Sequence, residues 1–387
     1  MTRRKQHVFH GLILILLSLT LAFAFAAGAA EKTVYLGAYD AAERGNGSEG
    51  APFSTLAAAI EAVRDGGRIV VTEEYTVTER DAVVSDLPRL IEPAHTGTIT
   101  FTSLVGKQDY RRGGACIYFP QAYVYECGGD VRFENMTLKN DAAPIYLAGN
   151  FNALTFGEGF DVRNTKGIAK YLYVIGGYYA PLTTGLPADR DARITIENGN
   201  FARVIAFAMG KGAGTYTFTG TAHITITGGH IDRIFGGSTL NHYAGSFDLQ
   251  VRDGSIGDIY TSGDATRRSL GSASIGLYGG TMRALYINNM LGSTEVTLDG
   301  IQLSGIQVTY GSEQIQNLAH GKTIRLRYNS LLYTTDFASA VKGITELERF
   351  GTLYVAAGTN GDGSREKPLG NLADAVRQLA DGGGDIM

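Results

Sequence analysis

Residues 224–235 read ITITGGHIDRIF, and residues 249–260 read LQVRDGSIGDIY. In each, apolar residues alternate up to a glycine kink and resume after it. They are Ile224, Ile226, Ile231 and Ile234 in the first, and Leu249, Val251, Ile256 and Ile259 in the second. Alternation puts these side chains on one face of a strand, while Thr225 and Gln250 point the other way. Between Tyr171 and Tyr310 the phrase also recurs as LYVIGGYYAPL, ITIENGNFARVI, IGLYGGTMRALY and VTLDGIQLSGIQ. Aligned after the kink, Gly177, Gly199, Gly229, Gly254 and Gly280 share one position, with Ile301 in the sixth copy, at intervals of 21 to 30 residues. A recurrent glycine of this kind marks a positive φ or a tight bend. One copy cannot bury its apolar face alone. Stacking one copy per coil, about 4.8 Å apart, makes a continuous core and pairs the strand backbones between coils. The two-residue hairpin signals of an antiparallel sandwich are missing. The expected fold is therefore all-β, a parallel β-helix. GTITFTSL, YVYEC, DVRFENMTL and ALTFGEGFDV extend the pattern toward the N-terminus.

A longer repeat flanks these coils. Residues 34–71 read VYLGAYDAAERGNGSEGAPFSTLAAAIEAVRDGGRIVV, and residues 353–387 read LYVAAGTNGDGSREKPLGNLADAVRQLADGGGDIM. From Gly47 to Gly67 the identities Gly47, Ser48, Pro52, Leu56, Ala59 and Gly66 recur 316 positions later. Each copy reads as strand, glycine-rich turn, amphipathic helix, Gly-Gly and strand. Leu56, Ile60 and Val63 fall on one helix face, Thr55 is placed to cap the N-terminus, and Gly66-Gly67 ends the helix.

The pattern G-[DN]-G-S…P-[FL]-x-[TN]-L-x-x-A, followed by an apolar helix, Gly-Gly and IVV, resembles the start of right-handed parallel β-helix proteins of the pectin-lyase-like superfamily. The resemblance implies a right-handed solenoid with an N-terminal capping helix over its open end, where sheet edges would otherwise be exposed. The expected organisation is a signal peptide over 1–30, strand and capping helix over 31–75, and coils over 76–325. A joining region over 326–350 follows, then the start of a second, truncated β-helix unit over 351–387, part of a longer tandem product. This scaffold carries lyases, hydrolases, adhesins and tailspikes, so the resemblance speaks to fold and little to activity.

The address is read from the N-terminus, MTRRKQHVFHGLILILLSLTLAFAFAAGAA. A basic start, an apolar run from Leu12 to Ala27 and small residues at Ala27-Gly28-Ala29 make up a secretory signal, so the protein is expected outside the cell or on its surface. The formal charge is −4. The leader holds Arg3, Arg4 and Lys5 and no acid, so the mature chain is more acidic still, which gives no support to a nucleic-acid partner or to anionic lipid. No membrane insertion of the mature region is expected, and the oligomeric state is not legible. Glycine, 52 of 387 residues, is well above the usual ~7%. Cys116 and Cys127 form either a local disulfide or two buried thiols.

Chemistry is less legible. Within the resembled superfamily, lyases use carboxylate-bound calcium with an Arg or Lys base, and polygalacturonases use closely spaced Asp residues. The chain lacks the Asp pairs, the Gly-His-Gly and the Arg-x-Lys strand of those enzymes. His230 and Asp232 point away from the core, but a general acid–base pair needs a shared cleft. Asp232, Arg233, Arg203 and Asp258 read as a charged ladder between coils. The sharper candidate is an aromatic column. Phe235, Tyr260 and Tyr286 each lie six residues after the kink. Stacked in register they form a strip suited to the C–H faces of sugar rings. The connections that follow carry His242, Tyr243, Asp264, Arg267 and Arg268, and such excursions build whatever groove a solenoid has. The expected partner is an extracellular polysaccharide or cell-surface glycan, bound without catalysis and without a cofactor. The alternative is a polysaccharide lyase or glycoside hydrolase, with calcium if a lyase. The turns GNGSEG and GDGSRE read as tight turns into the helices, not as metal loops.

Overall fold

The computed structural model describes residues 31–38, 45–78, 81–83, 87–141, 143–164, 172–180, 187–210, 217–238, 242–263, 271–288, 292–303, 306–309, 323–333, 344–379 and 385–387. The expected signal peptide, residues 1–30, lies outside the described residues.

The chain is an all-β parallel solenoid, with two short α-helices among the described residues. One inward column passes in register through Val34, Ile69, Phe101, Phe133, Phe156, Ile196 and Ile226. It continues through Val251, Leu277 and Leu298 to Tyr328. All of these side chains are buried. Where phenylalanines meet, their rings stack: Phe101 on Phe133 at 5.3 Å and Phe133 on Phe156 at 5.7 Å. Each coil therefore places its apolar residue directly on the equivalent residue of the next, which is what the alternation requires.

A second parallel ladder runs beside the first, from Arg89–Ile91 through Tyr123–Glu126, Ile145–Ala148, Leu172–Ile175 and Asn200–Ile205. The chain passes between the two ladders through the glycine kink. Gly199, Gly229, Gly254 and Gly280 all have positive φ, between 79° and 117°. A Cβ on Gly254 would stand 3.0 Å from the Gly229 carbonyl oxygen, and one on Gly280 would stand 2.4 Å from that of Gly254. The kink glycines thus stack as a column of their own. Two members of the aligned set differ. Gly177 lies after its strand, beside Phe207, and has no positive φ; in the surrounding stretch positive φ falls at Asn150, Phe151, Gly159 and Ala180. Ile301 is held opposite Gly280, but the positive φ falls one residue earlier, at Gly300. Interval and composition alone could not separate a kink from a turn glycine.

The strands Ile324–Asn329 and Glu346–Phe350 continue the first ladder in parallel. The first ladder therefore includes strands at both ends of the residues expected to be a joining region. A joining segment and a coil strand share composition here, and pairing alone distinguishes them.

The N-terminal end is covered by the helix Leu56–Ala62. The Thr55 hydroxyl accepts the Ala58 N–H at 3.3 Å, and Leu56, Ala59, Ile60 and Val63 are buried in the same core as the first coils. The second copy of this unit has the same wiring. Tyr35 N–H donates to the Gly47 carbonyl at 2.9 Å, and Tyr354 N–H donates to that of Gly363 at 2.9 Å. Asn46 and Asp362 each accept the N–H two residues on, from Ser48 and Ser364. Leu36 bridges Phe53 as Val355 bridges Leu369. The glycine-rich turns are tight backbone turns in both copies.

A polar cluster around Glu92 sits inside the apolar wall. The Glu92 carboxylate accepts from the Tyr125 hydroxyl and from the Gly128 N–H at 2.9 Å, and meets His95 Nε2 at 3.3 Å. His95 Nδ1 faces the Gly97 carbonyl at 2.8 Å. Both ring nitrogens thus face acceptors, which suits the doubly protonated ring. Burial disfavours charge on His95, but Glu92, the Gly97 carbonyl and the more distant Asp130 outweigh it and raise its pKa above the ordinary 6.5. Cys116 and Cys127 are free and buried, and burial raises both thiols, Cys116 to about 12.

Two outcomes test this packing. Gly254→Ala must hold a side chain at positive φ against a neighbouring coil, and should lower unfolding stability by about 1–3 kcal/mol in urea. Because the folded pKa of His95 is raised, its contribution is complete below the unfolded pKa and is lost as pH rises through the folded value. The urea midpoint should fall over that window, and His95→Gln should flatten the fall.

Candidate functional site

The second ladder presents an outward column next to its inward one. In register it runs Ile91, Glu126, Ala148, Ile175 and Ile205, then Phe235, Tyr260 and Tyr286. The three aromatic residues selected from the sequence therefore belong to a longer strip that begins coils earlier. The position six residues after Gly199 is Ile205, so the strip was traceable in the sequence, but an isoleucine there does not advertise a site.

The strip has two halves. Ala148, Ile175 and Ile205 are fully buried beneath Tyr146, Tyr179 and Met209. This roof is tied down. Tyr179 bridges Met209, and the buried Arg89 donates to the Tyr179 and Ala180 carbonyls at 3.0 and 2.7 Å while pairing with Glu126 at 2.5 Å. Further on, Phe235 is 8% exposed, and Tyr260 and Tyr286 are half-buried.

The rings of Phe235 and Tyr260 stack with centroids 5.1 Å apart and planes 11° apart; those of Tyr260 and Tyr286 are at 4.7 Å and 9°. Near-parallel rings at this spacing turn much of their faces toward one another. The expected open platform for sugar C–H faces is thus partly spent on ring–ring contact. What remains for a ligand is the half-exposed part of Tyr260 and Tyr286. Burial, then the nearby Asp258, raises the Tyr260 phenol above its ordinary value, so it stays a hydrogen-bond donor at neutral pH.

Beside the strip lies a charged column in which Tyr173, Arg203, Arg233 and Asp258 follow one another in register. The Arg203 guanidinium lies over Tyr173 at 5.3 Å and over Phe235 at 5.9 Å. Asp258, 3% exposed, receives Arg283, whose Nε donates at 2.7 Å. Tyr173, Arg203, Arg233 and Arg283 line a shallow recess of about 390 Å³ with Asp232 and Gly257. His230 and Asp232 are in contact at 3.1 Å and half-exposed. Arg203 and Arg283 were not singled out with the rings, because their proximity depends on coil register.

Of the loop residues, His242 and Tyr243 form a short strand paired with Thr217–Phe218, and Asp264, Arg267 and Arg268 lie outside the described residues. A second polar recess, of about 590 Å³, opens near Asp109, Asp161 and Asn198, where Arg111 and Arg163 pair with the two aspartates at 2.8 Å. No group of three His, Cys, Asp or Glu side chains among the described residues could hold a metal ion. Among them no helix is long and apolar enough to cross a membrane.

Comparison with known protein families, with curated proteins and with solved structures returned no match.

Among the described residues the Tyr260 ring meets both Phe235 and Tyr286, whereas the Tyr286 ring meets Tyr260 alone. Each such contact is worth about 0.5–1.5 kcal/mol beyond area burial. Tyr260→Ala should therefore lower the urea unfolding free energy by about twice as much as the loss of one contact, and more than Tyr286→Ala.

Proposed function

We propose that this protein is an exported, surface-displayed β-helix scaffold that binds an extracellular glycan along the second ladder and does no chemistry on it. The observation that carries this reading is the aromatic strip. Its first half is roofed by the chain itself, its second half is half-open, and the open half lies beside a recess of guanidinium and carboxylate groups. Rings offer apolar contact to sugar C–H groups, and Arg203, Arg233 and Asp232 offer hydrogen bonds to hydroxyls. Repetition once per coil matches a repeating ligand and lets weak contacts add. The signal-like leader and the resemblance to the pectin-lyase-like superfamily support the extracellular setting.

The test is retention of the purified 31–387 chain on a panel of insoluble polysaccharides, alongside assays for new reducing ends and for unsaturated uronide. The expected result is retention on at least one glycan, weakened about tenfold or more by the double change Tyr260→Ala, Tyr286→Ala, with no product. Product from any glycan would replace this reading with the lyase or hydrolase one. Retention unaltered by the double change would move binding off the strip.

A further inference from the structure

The dipeptide Asn-Gly occurs three times in the chain, at Asn46-Gly47, Asn198-Gly199 and Asn360-Gly361. In this pair a side-chain amide and the next backbone amide can react with each other, because glycine brings no Cβ to shield its nitrogen. The three copies share their covalent chemistry and differ in where the fold points the glycine nitrogen. In the two glycine-rich turns it is directed away from the asparagine. Gly47 N–H donates to the Ala51 carbonyl at 3.0 Å, and Gly361 N–H donates to the Pro368 carbonyl at 3.1 Å. Asn46 Oδ1 accepts instead from the Ser48 N–H at 3.0 Å. At the coil kink the arrangement is reversed. Gly199 N–H donates to Asn198 Oδ1 at 2.9 Å, so the nitrogen lies against the side-chain carbonyl of the residue before it.

The corner imposes this geometry. Gly199 has a φ of 117°, and its carbonyl accepts from the His230 N–H of the next coil at 2.8 Å, which fixes the peptide within the stacked column of kinks. Two coils on, the corner is repeated with an acid: Gly254 N–H donates to Asp253 Oδ1 at 2.8 Å. An ionised carboxylate offers no leaving group at neutral pH, whereas the Asn198 amide can release ammonia. Asn198 is exposed, so water reaches it.

We propose that Asn198-Gly199 is a self-modification site, at which the kink converts Asn198 to an acidic residue. The Gly199 nitrogen bonds to Cγ of Asn198, the Cγ–Nδ2 bond breaks, and ammonia leaves with the proton that the Gly199 nitrogen gave up. One water then opens the five-membered succinimide, leaving either aspartate or its isomer linked through the side chain. The balance needs only that water. Holding both groups in one corner replaces the search through rotamers that a free chain must make. The recess that Asn198 lines also suits the product. It holds Arg111, Arg112 and Arg163 against Asp109 and Asp161, and Arg112 has no ion pair among the described residues. Surplus positive charge favours an ionised carboxylate at this position. The step needs no ligand and stands apart from the glycan reading.

The test follows the three dipeptides in one molecule. The folded protein is incubated in mildly alkaline buffer made with heavy-oxygen water and digested in acid, and each Asn-Gly peptide is weighed. Conversion exchanges the amide nitrogen for a labelled oxygen, which separates new product from any formed earlier. A urea-unfolded sample supplies the rate of each dipeptide without the fold. Measured against its own unfolded rate, Asn198 should convert about tenfold faster than Asn46 or Asn360. The acidic form that this produces on ion exchange should be missing from Asn198→Gln, whose longer side chain does not close the five-membered ring; circular dichroism checks that the variant is folded. Asn198 converting no faster than the other two overturns the proposal, since the corner would then hold the amide out of reach. An acidic form that arises as fast in Asn198→Gln overturns it as well.

Discussion

The column from Val34 through Phe133 and Ile226 to Tyr328 is held together by one constraint: every coil leaves its apolar residue half-covered until the next coil lies on it. The spacing between coils is that of paired strands, so backbone hydrogen bonding and side-chain burial are satisfied by the same translation. Register therefore admits little variation. A slip by one residue would turn Ile224 and Leu249 outward and bring Thr225 and Gln250 into the core. The glycine kinks follow from this, because a chain that must turn the same corner in every coil also stacks its corners. The kink of one coil sits on the carbonyl of the one before, with no space for a Cβ.

Stacking solves burial along the solenoid and leaves it unsolved at the ends. The first helix answers this at one end with four buried residues on a single face, and a hydroxyl cap on its N-terminus. The same rule of stacking governs the outer surface. Side chains opposite the core also fall into columns, so a residue of one chemical type recurring in successive coils becomes a strip. Phe235, Tyr260 and Tyr286 form one, and Tyr173, Arg203, Arg233 and Asp258 form another. The strip is closed where Tyr179 and Met209 fold back over it, and is half-open beyond them. The buried Arg89 is part of that closure, since it spends its donors on the carbonyls of the roof.

Much of this was legible in the residues themselves. Alternation in ITITGGHIDRIF and LQVRDGSIGDIY states strand faces directly, because side-chain direction has a period of two whatever the surroundings. Duplication of the capping unit was equally plain, as was the aromatic column. The misplaced kinks at Gly177 and Ile301 show the limit. Glycine serves a left-handed bend, a close backbone approach and a plain turn alike, and only pairing tells which one is present. The repeated phrase of the earlier coils does not recur in the sequence at Ile324–Asn329 and Glu346–Phe350, and their place in the ladder is read from pairing.

The sequence by itself determined the fold class, the inward residues and the duplication of the strand–turn–helix unit, since these depend on local periodicity and on identities at fixed separation. Tertiary structure alone decided the contacts made by Arg203 and Arg283. Arg203 meets Tyr173 and Phe235, and Arg283 meets Asp258, across coil-to-coil distances that chain separation does not encode. It also decided that the aromatic rings face one another, and that part of the strip is roofed by Tyr179 and Met209. Those outcomes depend on three-dimensional translation between coils, and a one-dimensional pattern specifies that translation only after every register has been set.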